Sequence, residues 1–111
     1  MRRFEALRRA GEIAALRRRG VRLGAKTLYG YGDRRGPRNA VAIAVAKAVG
    51  GAVVRNRIRR RVRGALEAAP PVRGPVRLLL VARPQAAGAG YLAIASDVAA
   101  LLAQLESKGA S

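Results

Sequence analysis

The sequence predicts an α+β fold: a two-layer α/β sandwich in which a small mixed sheet packs against helices, with an arginine-rich helix linking two strands. Three observations carry this expectation. Apolar residues alternate with a period of two from Val21 to Gly32 and again from Arg38 to Lys47, as half-buried strands require. A short run from Val76 to Arg83, "VRLLLVAR", is apolar on both faces and is closed by Pro84. Between these runs the period becomes helical, most plainly in "AVGGAVVRNRIRRRVRGAL", Ala48 to Leu66. A length of 111 residues, half of them hydrophobic, suits one domain over residues 1–111.

Each element follows from its local residues. The segment up to Arg9 is basic and carries no start signal. Ala10 to Arg19 predicts a short helix with Ile13, Ala14 and Leu16 on its apolar face; Arg17, Arg18 and Arg19 complement the dipole in the last turn, and Gly20 suits the C′ position. Val21 to Gly32 predicts one strand with Val21, Leu23, Ala25, Thr27, Tyr29 and Tyr31 on a single face. Asp33-Arg34-Arg35-Gly36-Pro37 predicts a turn, after which Arg38 to Lys47 returns antiparallel to the first strand. Its large residues (Val41, Ile43, Val45) and its alanines (Ala40, Ala42, Ala44, Ala46) occupy opposite faces, and the alanines admit a helix at close range. The arginine helix is expected over about Gly51 to Ala68, ended by Pro70 and Pro71. After the third strand a final helix spans about Tyr91 to Lys108. Ile94, Val98, Leu101, Leu102 and Leu105 give it a core-facing stripe, and Gly109 to Ser111 are expected to fray.

Composition removes whole classes of function. There is no cysteine, hence no disulfide framework and no thiolate metal site. There is no histidine, hence no common general base and no Ser–His or Cys–His pair. The six carboxylates (Glu5, Glu12, Asp33, Glu67, Asp97, Glu106) form no motif that reads as an acid/base pair or a metal cage, so neither catalytic nor metal-binding residues are expected. No signal peptide is visible and no apolar run approaches the ~20 residues of a membrane span, so a cytoplasmic setting is expected. A net charge of +17 points to a polyanionic partner, with nucleic acid ahead of an anionic membrane.

The arginine helix sharpens that reading. With Ile58 at the centre, Val54, Val62, Ala65 and Leu66 share its side and form a packing stripe. Asn56, Arg59, Arg60 and Arg63 point away, and Arg55, Arg57 and Arg61 flank the stripe. Each like-charge pair at i,i+4 costs about a few tenths of a kcal/mol, and only Glu67 offsets them locally. An external polyanion accounts for such a face more economically than solvent does. Arginine grips phosphate through two hydrogen bonds and stacks on unpaired bases. Asn56 has both a donor and an acceptor, for a base edge, a 2′-hydroxyl or a neighbouring arginine. The free N–H groups beyond Gly50-Gly51 offer a cradle for phosphate, and Lys47 extends the basic surface. A sheet with flanking helices and one basic helix suits structured RNA, although charge alone does not separate RNA from DNA.

These residues also carry a family resemblance. "AVAKAVGGAVVRNRIRRRVR", Ala44 to Arg63, resembles the signature of the bacterial ribonuclease P protein subunit, in which a strand ending in Ser-Lys-Lys leads into Gly-x-Ala-Val-x-Arg-Asn-Arg-x-Lys-Arg. Lys47, Gly50, Ala52, Val53, Arg55, Asn56, Arg57 and Arg60 match in register. The chain departs from the pattern at Ala48, where a second lysine is usual, and at Gly64, where an acid or amide is common. The resemblance implies a left-handed strand–helix–strand crossover through the arginine helix. It also implies a ribonucleoprotein endonuclease for tRNA 5′ processing, in which a catalytic RNA and precursor tRNA are the partners. Mg²⁺ is held mainly by the RNA and substrate, and the protein alone is not catalytic. It assigns Lys47, Arg55, Asn56, Arg57, Arg59, Arg60 and Arg63 to the RNA subunit.

The family's N-terminal helix presents aromatics to the single-stranded 5′ leader, and Ile13 and Leu16 stand at those positions here. Tyr29 or Tyr31 is then expected to stack on leader bases, with Arg8, Arg9 and Lys26 on phosphates. No membrane and no obligatory protein partner are expected. The alternative is a small basic ribosomal protein or another structural RNA binder.

Overall fold

The computed structural model describes residues 3–108; Gly109 to Ser111, expected to fray, lie outside that range. The chain runs β1 (Glu5–Ala6), α1 (Ala10–Arg19), β2 (Val21–Gly24), β3 (Leu28–Asp33), β4 (Ala40–Ala44), α2 (Ala52–Ala68), β5 (Arg77–Ala82) and α3 (Tyr91–Lys108). Single 3₁₀ turns at Lys47–Val49 and Pro84–Gly88 lead into α2 and towards α3. The fold is the expected α+β mixture of a mixed sheet and three helices, and the helices keep their expected bounds to within a residue.

The strands differ from expectation in three ways. First, Val21 to Gly32 is not one strand. β2 and β3 form a hairpin in which Leu23 lies opposite Gly30 and Gly24 opposite Tyr29. The apolar alternation continues through the bend, but the face reverses there. Leu23 points into the core, whereas on β3 Leu28 does so and Tyr29 and Tyr31 point the other way. Second, β3 and β4 do not pair with each other. The sheet order is β1-β4-β5-β3-β2, so β5 lies between them, antiparallel to β3 and parallel to β4. Leu78, Leu79 and Leu80 are consecutive and each at most 1% exposed, which requires cover on both faces and therefore the central position. Third, residues 5 and 6 form a short parallel strand on β4, with Glu5 opposite Ala40 and Ala6 opposite Val41.

α2 and α3 cover one face of the sheet. Ile58, Val62 and Leu66 of α2 and Ile94, Val98, Leu101 and Leu105 of α3 pack with Leu23, Leu28, Val41, Leu78 and Leu80. α1 lies over part of the opposite face. There Leu7, Leu16 and Leu79 form a second cluster, bordered by Ile13, Tyr31, Ala40, Ala42 and Ala44. Gly20 follows α1 with φ −68°, so no left-handed cap is involved. Its role is close approach: a Cβ there would meet the Leu16 carbonyl oxygen at 2.6 Å.

The N-terminal segment is a strap across β4 and α2. Phe4 is fully buried in the main core. The Arg3 backbone N–H donates to the Glu67 carboxylate at 2.9 Å, and its guanidinium donates to the Glu67 carbonyl at 3.1 Å and to the Ala69 carbonyl. These contacts satisfy carbonyls that the end of α2 otherwise leaves free.

Two stability predictions arise from the sheet. A Cβ at Gly30 would lie 2.1 Å from the Leu79 carbonyl oxygen, a backbone atom that no rotamer change moves. Gly30→Ala is therefore expected to cost at least about 1–3 kcal/mol, seen as a lower urea midpoint. The second concerns Asp33, which lies opposite Arg77 in the sheet and accepts from its Nε and Nη2 at 2.8 and 2.7 Å. Glu12 of α1 approaches the same guanidinium at 3.5 Å. Burial alone would raise the Asp33 carboxyl. The hydrogen bonds from Arg77 and the Arg35 N–H outweigh it and hold the group below its ordinary value of 3.8. A depressed carboxyl stabilises the fold above its unfolded value and stops doing so as pH falls through the lower folded one. Urea melts from about pH 6 down to pH 2 should show this acid loss, and Asp33→Asn should remove that share of it.

Candidate nucleic-acid interface

α2 buries one side and displays the other. Ile58, Val62, Ala65 and Leu66 are buried, and Val54 is half-buried beside them, as the spacing predicts. On the opposite side Asn56 and Arg60 are exposed and Arg59 is half-exposed. Arg59 Nη1 donates to Asn56 Oδ1 at 3.2 Å, so Asn56 braces an arginine. Arg61 and Arg63 are tied inward: Arg61 Nη1 donates to the Ala89 carbonyl at 2.6 Å, and Arg63 Nη1 to the Phe4 carbonyl at 2.9 Å. Arg55 and Arg57 are half-buried on the flanks. Lys47 is exposed in the 3₁₀ turn ahead of α2. Gly51 caps the helix without a side-chain acceptor, and there is no acidic residue in the first turn.

The acids lie elsewhere. Glu5 pairs with Arg38, Glu12 and Asp33 with Arg77, and Glu67, Asp97 and Glu106 accept from the backbone N–H groups of Arg3, Thr27 and Arg73. Among the described residues no α2 arginine forms an ion pair with a carboxylate. The positive potential of this face is therefore uncompensated within the protein, which is the electrostatic footprint of a polyanion partner.

Beside this face runs an open groove of about 770 Å³. Arg59, Arg60, Arg63 and Gly64 of α2 form one wall, Ile13 and Arg17 of α1 the other, and Val41 to Ala44 with Leu79 the floor. β1 covers β4 only at Ala40 and Val41, so the strand edge from Ala42 to Ala44 faces the groove without a neighbouring strand. An apolar floor between cationic walls suits a single strand whose bases face inward and whose phosphates face the rim.

The expected leader residues do not form one site. Ile13 lines the groove. Leu16, expected to face the leader, is fully buried in the seam between α1 and the sheet, so it cannot be a surface contact. Arg8 and Arg9 are exposed ahead of α1 and border a separate recess of about 250 Å³ with Glu5, Glu12 and Arg38. Tyr29 and Tyr31 meet edge to face, with centroids 6.5 Å apart, on the α1 side of the sheet. The Arg83 guanidinium lies 4.9 Å from the Tyr29 centroid. Lys26 is exposed at the β2–β3 turn. Neither tyrosine nor Lys26 lines the groove. Sequence reasoning missed Arg17, Ala42, Ala44 and Leu79 as groove residues. The alanine stripe of β4 was the available signal, because it leaves room above the sheet.

The sequence pattern of the family Ribonuclease P matches residues 1–106. The chain belongs to the ribonuclease P protein family. The fold agrees with solved ribonuclease P proteins at low identity. One is the Staphylococcus aureus protein, with TM-score 0.79 and 18% identity over 91% of this chain and 94% of that one. Another is the Thermotoga maritima protein, with TM-score 0.72 and 16% identity over 90% and 96%. A Thermotoga maritima ribonuclease P protein in complex with 1-(4-fluorophenyl)-2-thiourea matches with TM-score 0.75 and 16% identity over 86% and 95%. A search of curated protein sequences returned no match. Membership in the ribonuclease P family sets the chain in a tRNA-processing ribonuclease and makes the ribonuclease P RNA its partner. Among the described residues no helix is long and apolar enough to cross a membrane.

Proposed function

We propose that this chain binds the catalytic RNA of ribonuclease P through the outer face of α2 and seats the 5′ leader of precursor tRNA in the adjoining groove, in the cytoplasm. The observation that carries the reading is the uncompensated arginine face of α2 beside an apolar, open groove. Asn56, Arg59 and Arg60, with Lys47 at the approach to the helix, are the direct contacts. Arg55 and Arg57 supply charge from the flanks. Arg63, held by the Phe4 carbonyl, stands at the groove wall where the two functions meet.

The protein's own chemistry is positioning and charge screening. Its carboxylates do not fit a Mg²⁺ site: among the described residues no three acids gather, and each is engaged with an arginine or a backbone N–H. On this reading Mg²⁺ belongs to the RNA and the substrate, and hydrolysis is the work of the RNA. Neutralising phosphates where catalytic RNA and leader converge lowers the repulsion between two polyanions, an effect that matters most when divalent cations are scarce.

The test is reconstitution with a bacterial ribonuclease P RNA and precursor tRNA at low Mg²⁺. Added protein should raise 5′ cleavage strongly, and protein without RNA should give none. RNA binding with no change in cleavage would favour a structural RNA-binding role, and cleavage by the protein alone would overturn the division of labour.

A further inference from the structure

The chain has four aromatic residues, Phe4, Tyr29, Tyr31 and Tyr91. Phe4 is buried, Tyr29 and Tyr31 pack against each other, and Arg83 lies over Tyr29. Tyr91 is different. It opens α3, is 40% exposed, and precedes Leu92, which is 82% exposed. Its ring rests on α2 at Gly64, where Cε1 lies 3.5 Å from the position a Cβ would take. Gly64 is also a wall residue of the groove, between Arg60 and the end of the helix. A second tie holds the start of α3 in place: the Ala89 carbonyl, two residues before Tyr91, accepts the Arg61 hydrogen bond.

We infer that Tyr91 stacks on an unpaired base of the bound RNA and so carries the RNA-binding face from α2 onto the start of α3. The inference rests on the proposed role of α2. A ring held against a bare stretch of helix loses little freedom on binding, and it offers an apolar face that every base can match. Arg60, one turn before Gly64 on the same side of α2, and Arg61, whose guanidinium is held at the Ala89 carbonyl, supply cations for the phosphates on either side of such a base. Charge complementarity with the same polyanion identifies the occupant. Packing alone would not need an aromatic ring here, because a leucine would cover Gly64 equally well.

The experiment measures equilibrium binding to a bacterial ribonuclease P RNA at several salt concentrations for Tyr91→Phe, Tyr91→Leu and Tyr91→Ala, beside the double variant Arg59→Ala/Arg60→Ala. Thermal unfolding of each variant reports folding separately. Stacking predicts that Tyr91→Leu and Tyr91→Ala weaken binding about tenfold with an unchanged salt slope, while Tyr91→Phe stays close to the parent protein. Wild-type affinity in Tyr91→Leu would sink the inference, because packing would then be the residue's whole role. Loss in Tyr91→Phe equal to that in Tyr91→Leu would also sink it, since the hydroxyl and not the ring would be the contact. An unchanged double arginine variant would refute the proposed α2 interface itself, and that result is distinct from either of these.

Discussion

Replacing Arg59 and Arg60 together by alanine should lower affinity for ribonuclease P RNA roughly 25- to 60-fold at 0.1 M salt and flatten the log–log salt slope by about 1.4–1.8. Each phosphate contact releases roughly 0.7–0.9 of a counterion, so two lost contacts set both figures. The pair is chosen because these side chains lie on the groove wall and neither is engaged by a carboxylate. Folding should be almost untouched, since the substitutions leave the Ile58–Val62–Leu66 stripe intact. Filter binding across a salt series, with a melting curve for each protein, separates the two effects. An unaltered slope would mean that the RNA docks elsewhere.

Phe4→Ala should have the largest effect on stability. Its ring is wholly buried, and deletion of a buried aromatic costs about 3–5 kcal/mol. A domain of this size has about 5–15 kcal/mol in total, so the variant should lose between about a fifth and all of its stability. The urea midpoint should fall with an unchanged m-value if the loss is purely one of packing. The effect should reach the RNA as well. The Phe4 carbonyl holds Arg63, and the strap that Phe4 anchors supplies Ala6 and Leu7 to the groove. RNA binding measured in a stabilising osmolyte should remain weaker than that of the parent protein. Full recovery would mean that the strap serves stability alone.

The helices were legible because their signals are local. The three- and four-residue spacing around Ile58 places α2, and the stripe from Ile94 to Leu105 places α3. The sheet was less legible because strand order depends on distant parts of the chain. Adjacency in sequence favours pairing β3 with β4, but the apolar residues on both faces of β5 give that strand the centre. The hairpin between β2 and β3 was hidden for a different reason. Alternation survives in the letters while the buried set changes from odd to even positions, so Leu23 and Tyr29 share a parity but not a face. The arginine face was visible in the helical spacing around Ile58. The fate of individual arginines was not: in sequence Arg63 looks equivalent to Arg60 and Arg61 reads as a flank residue, yet carbonyls from residues 28 and 59 positions away hold Arg61 and Arg63 inward. Resemblance alone puts Leu16 at the leader surface, whereas packing buries it between α1 and the sheet.

The strap also has a consequence for the order of assembly. Residues 3–6 leave the ribosome well before their partners, which are Ala40 and Val41 on β4 and Glu67 and Ala69 at the end of α2. Until those partners are made, Phe4 has nowhere to bury itself and is exposed to chaperones and to other nascent chains. This segment is thus made before its partners yet settles only after a loop of some sixty residues closes. A chain released before the end of α2 is translated would lack the anchor that completes the groove. Newly made protein therefore gains its full arginine face and groove only once α2 has been synthesised to its end.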